Sequence, residues 1–176
     1  AREIAETETT QGVFAHCKQI AISDADMSNW SKVLLIDAVQ DPGNIGTMIR
    51  TADAAGLDAV ILGKGTVDAY NPKTVRAAQG SHFHIPVVRG DLLEWIEKLQ
   101  DKDIPVYGTA LENAIPYTEV NSSNEFAVIL GNEGSGIHPQ LLDKTNQNLI
   151  IPILGQAESL NVAVATGILL YQLVKK

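Results

Sequence analysis

Short runs of aliphatic residues alternate along this chain with segments whose apolar residues recur at helical spacing. One such helical segment, at residues 45–55, is followed by Gly56 as a candidate C-cap. Helices are predicted at residues 45–55, 71–79, 92–99 and from residue 160 onward, and strands at residues 13–22, 33–36, 59–62, 85–88, 104–109, 126–130 and 149–154. Strands that alternate with helices form parallel sheets covered on both faces. The pattern therefore predicts an α/β domain with a mostly parallel sheet flanked by helices.

Length and composition exclude several classes of protein. The chain has 176 residues, which suits one domain, and aromatic residues make up only 5%, which argues against an RNA-binding sheet of stacked aromatic rings. A single cysteine, Cys17, excludes an internal disulfide and a cysteine-based zinc site and fits a cytoplasmic protein. Residues 160–174 are too few and too polar to span a bilayer. The net charge of −8 means that any binding of nucleic acid depends on a local basic patch, a partner or a further segment.

Three polar loops each follow a predicted strand, and in a parallel sheet those positions share the ligand-binding edge. They are DPGNIGTMIR at residues 41–50, GNEGSG at residues 131–136 and ILGQAESLN at residues 153–161. The glycine order of GNEGSG differs from the dinucleotide-binding fingerprint, and the chain has no phosphate-binding P-loop motif. His82 and His84 alone form only a weak metal pair. These residues by themselves predict a small ligand at the strand ends.

The polar residues of the first two loops also have structural interpretations. Asn44 is suited to cap the helix that follows it, and this interpretation is favoured from the residues alone. Arg50 is spaced to pair with Asp53 on the helix surface, and Glu133 suits a solvated loop charge. Each residue taken alone is explained by its structural interpretation, so function is indicated only if these interpretations fail together at all three strand ends.

The last helix is apolar on nearly all sides. Ser159 is a suitable N-cap for it, which places Asn161 in its first turn. Such a helix lies either in the core or in a subunit interface, and a small domain has little room for the first.

Taken together, the three loops resemble the signature motifs of the SpoU (TrmH-like) family of RNA ribose 2′-O-methyltransferases, within the SPOUT superfamily. The motifs appear here as LLIDAVQDPGNIGTMIRTADAAGLDAVIL, AVILGNEGSGIHPQLL and LIIPILGQAESLNVAVATGILLYQL, in the family's order, and the resemblance covers residues 30–175. It implies an α/β domain with a deep C-terminal trefoil knot, S-adenosylmethionine (SAM) held in the knot, and a homodimer that binds RNA. It implies no metal ion.

The resemblance also implies the site residues. The catalytic set is Asn44, Arg50, Glu133, Ser159 and Asn161. The cofactor contacts, largely through the main chain, are Thr109, Ala110, Leu111, Gly131, Ile151 and Leu160, and Ile153 is expected beside them in an apolar wall around the adenine with Pro152. Gly131, Gly134 and Gly136 are expected to allow a close backbone approach and unusual φ values around the cofactor.

Arg50 has two possible roles in proton removal from a ribose hydroxyl. A guanidinium is a poor base. Arg50 therefore either acts as a base because a nearby substrate phosphate perturbs it in the bound complex, or stabilises the developing alkoxide as a cation. Glu133 is a candidate to orient Arg50 through a bidentate pair, and Ser159 and Asn161 are candidates to bind a phosphate. For RNA capture the expected residues are Lys73, Arg76, His82 and Arg89. The acidic chain alone is expected to bind RNA weakly.

The preferred function is a SAM-dependent enzyme that methylates a ribose 2′-hydroxyl of ribosomal RNA. The alternatives are a transfer RNA ribose methyltransferase, a SAM-binding scaffold without catalysis, and a nucleotide-binding oxidoreductase domain, which the glycine order disfavours. Residues 1–12 are predicted to be the remnant of a linker and residues 13–176 the catalytic domain. Many relatives carry a further N-terminal RNA-binding domain, which this chain is expected to lack.

Overall fold

A seven-stranded parallel sheet forms the centre of the molecule in the computed structural model, which describes residues 12–19 and 22–174. Its strands are β1 Lys32–Ile36, β2 Ala59–Leu62, β3 Val87–Arg89, β4 Val106–Thr109, β5 Ala114–Pro116, β6 Phe126–Leu130 and β7 Gln147–Ile150. Their order across the sheet is β3-β2-β1-β6-β4-β7-β5, and every pairing is parallel. The predicted parallel α/β architecture is confirmed.

Helices cover both faces of the sheet. They are α1 Asp24–Met27, α2 Pro42–Ala54, α3 Pro72–Ala78, α4 Leu92–Gln100, α5 Pro139–Leu142 and α6 Val162–Leu173, with 3₁₀ helices at Ser81–Phe83 and Tyr117–Glu119. Alternate residues of β1 divide the core: Leu34 and Ile36 pack with α2, α3 and α6, whereas Val33 and Leu35 pack with α4 and α5. The central strands are aliphatic throughout because both of their faces are buried.

The strand order reverses at the sheet centre, between β1 and β6. The chain moves from β1 outward to β2 and β3, and β6 lies on the other side of β1. A ligand crevice is expected at such a switch point, outside the carboxyl ends of the strands. The loop after β1 leads into α2, and the loop after β6 contains GNEGSG, so two of the three polar loops meet at this edge.

β7 lies between β4 and β5, although β4 and β5 are separated only by residues 110–113. Because all three strands are parallel, residues 110–113 must cross β7 on one face of the sheet. This crossing is consistent with the knot that the family resemblance implies, and the knot itself stays a prediction.

Several predicted boundaries are wrong. Residues 13–19 of the predicted first strand form no regular structure, and residues 20–21 lie outside the described part, as do residues 1–11 of the predicted linker. β5 was not predicted because it contains only three residues, none of them fully buried. β7 begins earlier than predicted and ends before Pro152, which has no N–H to donate to a neighbouring strand.

Candidate active site

Two side-chain hydrogen bonds join the three polar loops. Asn161 Nδ2 donates to Asn44 Oδ1 at 3.0 Å, and Asn44 Nδ2 donates to Glu133 Oε1 at 3.0 Å. The bonded residues are 117 and 89 positions apart in sequence, so the fold rather than local geometry brings them together. The resulting series Asn161–Asn44–Glu133 is called here the amide bridge.

The capping of α2 and α6 explains why these amides are available. Asp41, not Asn44, is the N-cap of α2, and its Oδ1 accepts from the Asn44 backbone N at 2.8 Å. Asn161, not Ser159, is the N-cap of α6, and its Oδ1 accepts from two first-turn N–H groups at 2.9 and 3.2 Å. Both structural interpretations from the sequence are therefore wrong. The Asn44 side chain is left free to bridge the other two loops.

Asn132 fixes the loop that carries Glu133. Its Oδ1 accepts from the backbone N of Gly134 at 2.9 Å and of Ser135 at 3.1 Å, while its Nδ2 donates to the carbonyl of Ala38 at 2.8 Å. This bond holds the loop to Ala38, two residues after the end of β1. The sequence analysis missed this role, although an asparagine two residues before a glycine is a common turn signal.

Only one glycine of GNEGSG has the unusual φ that was expected. Gly136 has φ +70°, whereas Gly131 and Gly134 do not have positive φ. A Cβ on Gly131 would overlap the backbone of Gly136 and Ile137. Gly131 is therefore required because the loop closes on itself, and this accounts for its small size without a ligand.

A cavity of about 770 Å³ lies at the carboxyl ends of β4, β6 and β7. Seven of the eight residues expected around the cofactor line it, namely Thr109, Ala110, Leu111, Gly131, Ile151, Ile153 and Leu160, whereas Pro152 does not. Of the expected catalytic residues, Glu133 and Ser159 line the cavity, whereas Asn44, Arg50 and Asn161 do not. The amide bridge thus reaches the cavity wall through Glu133. The individual roles of these residues stay predictions.

The cavity wall combines apolar side chains with carboxylates. The acidic lining residues are Glu112, Glu133, Asp143 and Glu158, and no Lys, Arg or His is among the lining residues. Such a wall attracts a cationic ligand and repels a polyphosphate. Glu112, Asp143 and Glu158 were not identified from the sequence, because their positions relative to the cavity follow from the fold alone.

Arg50 is exposed on α2, two turns after Asn44. Its side chain forms no ion pair or hydrogen bond with any residue in the described part of the chain. The predicted pairs with Asp53 and with Glu133 are both wrong. Asp53 instead lies 3.0 Å from His84 Nδ1, and Glu133 accepts from Asn44.

Asp53 is held by the segment after α3. Burial raises the pKa of the Asp53 carboxyl, but hydrogen bonds from Ser81 and His84 and the charge of His84 outweigh burial and keep this pKa below its usual value. The pairing occupies the carboxylate nearest to Arg50 along α2. The Arg50 guanidinium is consequently available to a substrate.

Three of the four residues expected to contact RNA are exposed. Lys73 Nζ lies 3.8 Å from Asp41 Oδ2, Arg76 is exposed near the end of α3, and Arg89 Nη2 donates to the carbonyl of Thr66 at 3.0 Å. The structure contradicts the expectation for the fourth.

His82 is 9% exposed and its Nε2–H donates to the carbonyl of Ala69 at 2.8 Å, so it is a structural residue. His82 and His84 gain no further ligand: among the described residues no group of three or more His, Cys, Asp or Glu is placed to hold a metal ion. None of the helices in the described ranges is long and apolar enough to cross a membrane.

The sheet order, the cavity at its carboxyl edge and the amide bridge define a class of α/β domain with an acidic and apolar cavity suited to a small cationic ligand. Comparison with known families makes this class specific. The chain belongs to the SpoU rRNA Methylase family, whose model matches residues 31–171. The resemblance inferred from the three motifs is therefore confirmed.

Individual relatives agree with the family assignment. The chain is 59% identical over 170 residues to the 23S rRNA (guanosine(2553)-2′-O)-methyltransferase RlmP of Bacillus subtilis (strain 168), covering 97% of this chain and 67% of that protein. It is similar in structure to an AdoMet-bound rRNA methyltransferase from Sinorhizobium meliloti, with TM-score 0.76, 38% identity and coverage of 81% of this chain and 55% of that one. It is also similar to the SpoU methyltransferase AviRb from Streptomyces viridochromogenes in complex with AdoMet, with TM-score 0.77, 30% identity and coverage of 87% and 61%. The chain thus spans about two thirds of that curated relative and less of the two solved chains.

Proposed function

We propose that this chain is the catalytic domain of a SAM-dependent RNA methyltransferase that methylates a ribose 2′-hydroxyl, with ribosomal RNA as the substrate. The observation that carries the proposal is the amide bridge, which joins the three family motifs beside the cavity. The 59% identical Bacillus protein, named as a 23S rRNA 2′-O-methyltransferase, supports ribosomal RNA over transfer RNA. The catalytic domain is proposed to span residues 13–176, and the enzyme is proposed to act in the cytoplasm.

The cavity fits SAM. SAM carries a sulfonium, an ammonium and one carboxylate, and the acidic wall complements its net positive charge. Ile151, Ile153 and Leu160 supply apolar walls for the adenine. When bound, SAM supplies an activated methyl group, so the protein needs no metal ion to prepare the donor. The same carboxylates disfavour NAD and ATP, which are polyphosphates.

The chain's own task is then to orient the ribose hydroxyl and to stabilise the charge that develops on its oxygen. Arg50 is the residue proposed for this charge, since a guanidinium stays protonated and donates several hydrogen bonds. Ser159, on the cavity wall, and Asn161, at the N-terminus of α6, are proposed to bind the RNA backbone near that oxygen. Lys73, Arg76 and Arg89 are proposed to attract the RNA.

A homodimer is part of the proposal, and α6 supplies its surface. Val164 and Tyr171 of α6 are 53% and 57% exposed, and Ile168 between them is half-buried. These positions lie on one apolar stripe of the helix. The described residues of the same chain do not cover this stripe. A second copy of the chain is the proposed cover.

Calorimetry and a transfer assay test the proposal together. SAM is expected to bind, with its product S-adenosylhomocysteine weaker, and NAD and ATP not measurably. Labelled SAM is expected to transfer methyl to unmodified ribosomal RNA, and nuclease mapping is expected to place the methyl on a ribose. Binding of SAM without transfer to ribosomal or transfer RNA would favour the scaffold alternative. Binding of NAD in place of SAM would reject the proposal.

A further inference from the structure

Positive charge is concentrated in one part of this acidic chain. Residues 59–90 contain four cations and only one acid, Asp68, which gives a net charge of 4 − 1 = +3 against −8 for the whole chain. The four cations are Lys64, Lys73, Arg76 and Arg89. Because a polyanion is attracted by a local field rather than by the overall charge, this segment is the part of the described molecule best suited to bind RNA.

The same segment exposes apolar rings. Phe83 is 64% exposed and Tyr70 is 38% exposed, and Val75 of α3 lies between them in sequence with 41% exposure. Aromatic residues make up only 5% of the chain, so two exposed rings within one basic segment require an explanation. Aromatic rings next to cations are the combination that binds single-stranded nucleic acid, because unpaired bases stack on the rings while cations contact the backbone.

A buried histidine packs against one of these rings, that of Tyr70. His82, next to Phe83, is buried and donates to the carbonyl of Ala69, and its ring centroid lies 5.4 Å from that of Tyr70. Buried His82 therefore links the two parts of the segment that carry Tyr70 and Phe83. A ring held in this way, as Tyr70 is, loses little entropy when a base stacks on it.

The segment is also joined at two points to α2, the helix that carries Arg50. At one end, Lys73 Nζ lies 3.8 Å from Asp41, the N-cap of α2. At the other, His84 Nδ1 lies 3.0 Å from Asp53, three residues after Arg50. An RNA strand on this segment is thus adjacent to the helix that presents the guanidinium.

Building on the methyltransferase function proposed above, we propose that Tyr70, Lys73, Arg76 and Phe83 form an aromatic–basic surface that binds single-stranded RNA next to the target nucleotide. Phe83 stacks on an unpaired base, Tyr70 offers a second exposed ring, and Lys73 and Arg76 contact phosphates. The surface selects unpaired RNA, because bases inside a duplex offer no free face for stacking.

Fluorescence anisotropy with the full chain and SAM tests the aromatic part of the surface. The probes are a labelled 12-nucleotide single strand of ribosomal RNA sequence, chosen without reference to any transfer result, and the same sequence in a duplex. Phe83→Ala is expected to weaken single-strand binding about ten-fold or more, the order of one lost stack, and to change duplex binding little. Phe83→Trp, which keeps an aromatic face, is expected to restore binding. In the transfer assay the KM for RNA rises while the KM for SAM stays unchanged.

A charge-matched pair of variants tests the basic part. Lys73→Gln with Arg76→Gln removes two positive charges from the surface, and Lys98→Gln with Lys144→Gln removes two from residues paired with Glu94 and Glu97. The plot of log affinity against log salt has a negative slope. The first double variant is expected to make this slope less steep by about 1.4, the value for two lost single-strand phosphate contacts. The second is expected to leave the slope within error of the wild type.

Two results would overturn the surface. One is unchanged single-strand binding by Phe83→Ala, and the other is a change of oligomeric state in that variant, measured by light scattering, which would make Phe83 an interface residue. Loss of RNA binding by Phe83→Ala in a protein that transfers no methyl would support the surface and reject the proposed enzyme, so the two failures are distinguishable.

Discussion

Asn44 shows why a primary amide suits the centre of this site. It donates to Glu133 and accepts from Asn161 at the same time, and among side chains only Asn and Gln offer a carbonyl oxygen and an NH₂ group together. An aspartate there would face the Glu133 carboxylate without a donor. The residue therefore links the loops through both of its atoms, and neither bond depends on the helix cap that Asp41 supplies.

Arg50→Ala is expected to lower methyl transfer by about 100-fold or more, the loss typical when a donor to a developing oxyanion is removed. The affinity for SAM is expected to stay within about two-fold of the wild type, because Arg50 does not line the cavity. Single-turnover transfer and calorimetry measure the two quantities. Arg50→Lys keeps the charge without the planar fork, so it separates charge from geometry. An equal loss of SAM affinity in Arg50→Ala would contradict the role proposed for Arg50.

Asp53 is expected to contribute a pH-dependent part of the stability. Its pKa is lowered in the folded chain, so its contribution is fully present above the usual carboxyl pKa of about 4 and is lost as the pH falls through the lowered value. Asp53→Asn is therefore expected to reduce the free energy of unfolding at pH 6 by up to about 1 kcal/mol, the range of exposed pairs. The difference from wild type is expected to shrink toward pH 3. Urea titrations across this range measure it, and a difference that grows in acid would reverse the sign.

At the scale of elements, α2 is the organising helix of the site. It packs between α3 and α6 and carries Asn44 and Arg50. Its approach to α3 is close at Gly46, where a Cβ would overlap the Thr74 carbonyl oxygen and the Ala77 side chain. The glycine thus brings the aromatic–basic surface near the motif residues.

Gly46→Ala is expected to destabilise the domain by about 1–3 kcal/mol, because the cost of overpacking exceeds the roughly 1 kcal/mol gained in helix propensity. Gly167→Ala in α6 is the matched control, since a Cβ there meets only Thr51 Cγ2 at an ordinary 3.8 Å. That variant is expected to be neutral or slightly more stable. Chemical denaturation measures both. Equal stabilities of the two variants would show that the α2–α3 contact tolerates a methyl group.

At the scale of the whole molecule, one face of the sheet presents α2, α3 and α6, and the exposed apolar stripe of α6 lies on it. Arg50 is on the same face and has no partner among the described residues. A second copy on α6 would therefore bring further surface close to the guanidinium. Assembly and catalysis are expected to depend on each other for this reason.

Val164→Asp is expected to convert a dimer into a monomer and to lower methyl transfer at least about ten-fold, since a charge in the core of an apolar interface is strongly unfavourable. Light scattering and the transfer assay measure the two effects. Gln140→Asp adds the same charge on exposed α5, at the other face of the sheet, and is expected to change neither. A wild type that is monomeric and fully active would reject the dimer.

Much of the fold was predictable because burial leaves a local signal. The prediction for β6 matches its observed bounds, Phe126–Leu130, and that for β2 matches Ala59–Leu62. Both strands have a neighbour on each side and are buried at every residue, so their sequence must be aliphatic. β5 lies at the edge with three half-buried residues, so it carries too weak a pattern to be recognised.

The sequence by itself determined the parallel α/β class, the three polar loops and the family, because strand burial and motif spacing are properties of short segments. Only the tertiary structure decided which polar group meets which. In the folded chain Asp41 and Asn161 cap the helices, and the Asp53 carboxylate pairs with His84. His82 is buried. The physical reason is that a hydrogen-bond partner is chosen by distance in space. Residues 89 and 117 positions apart acquire that distance only when the sheet brings its strand ends together.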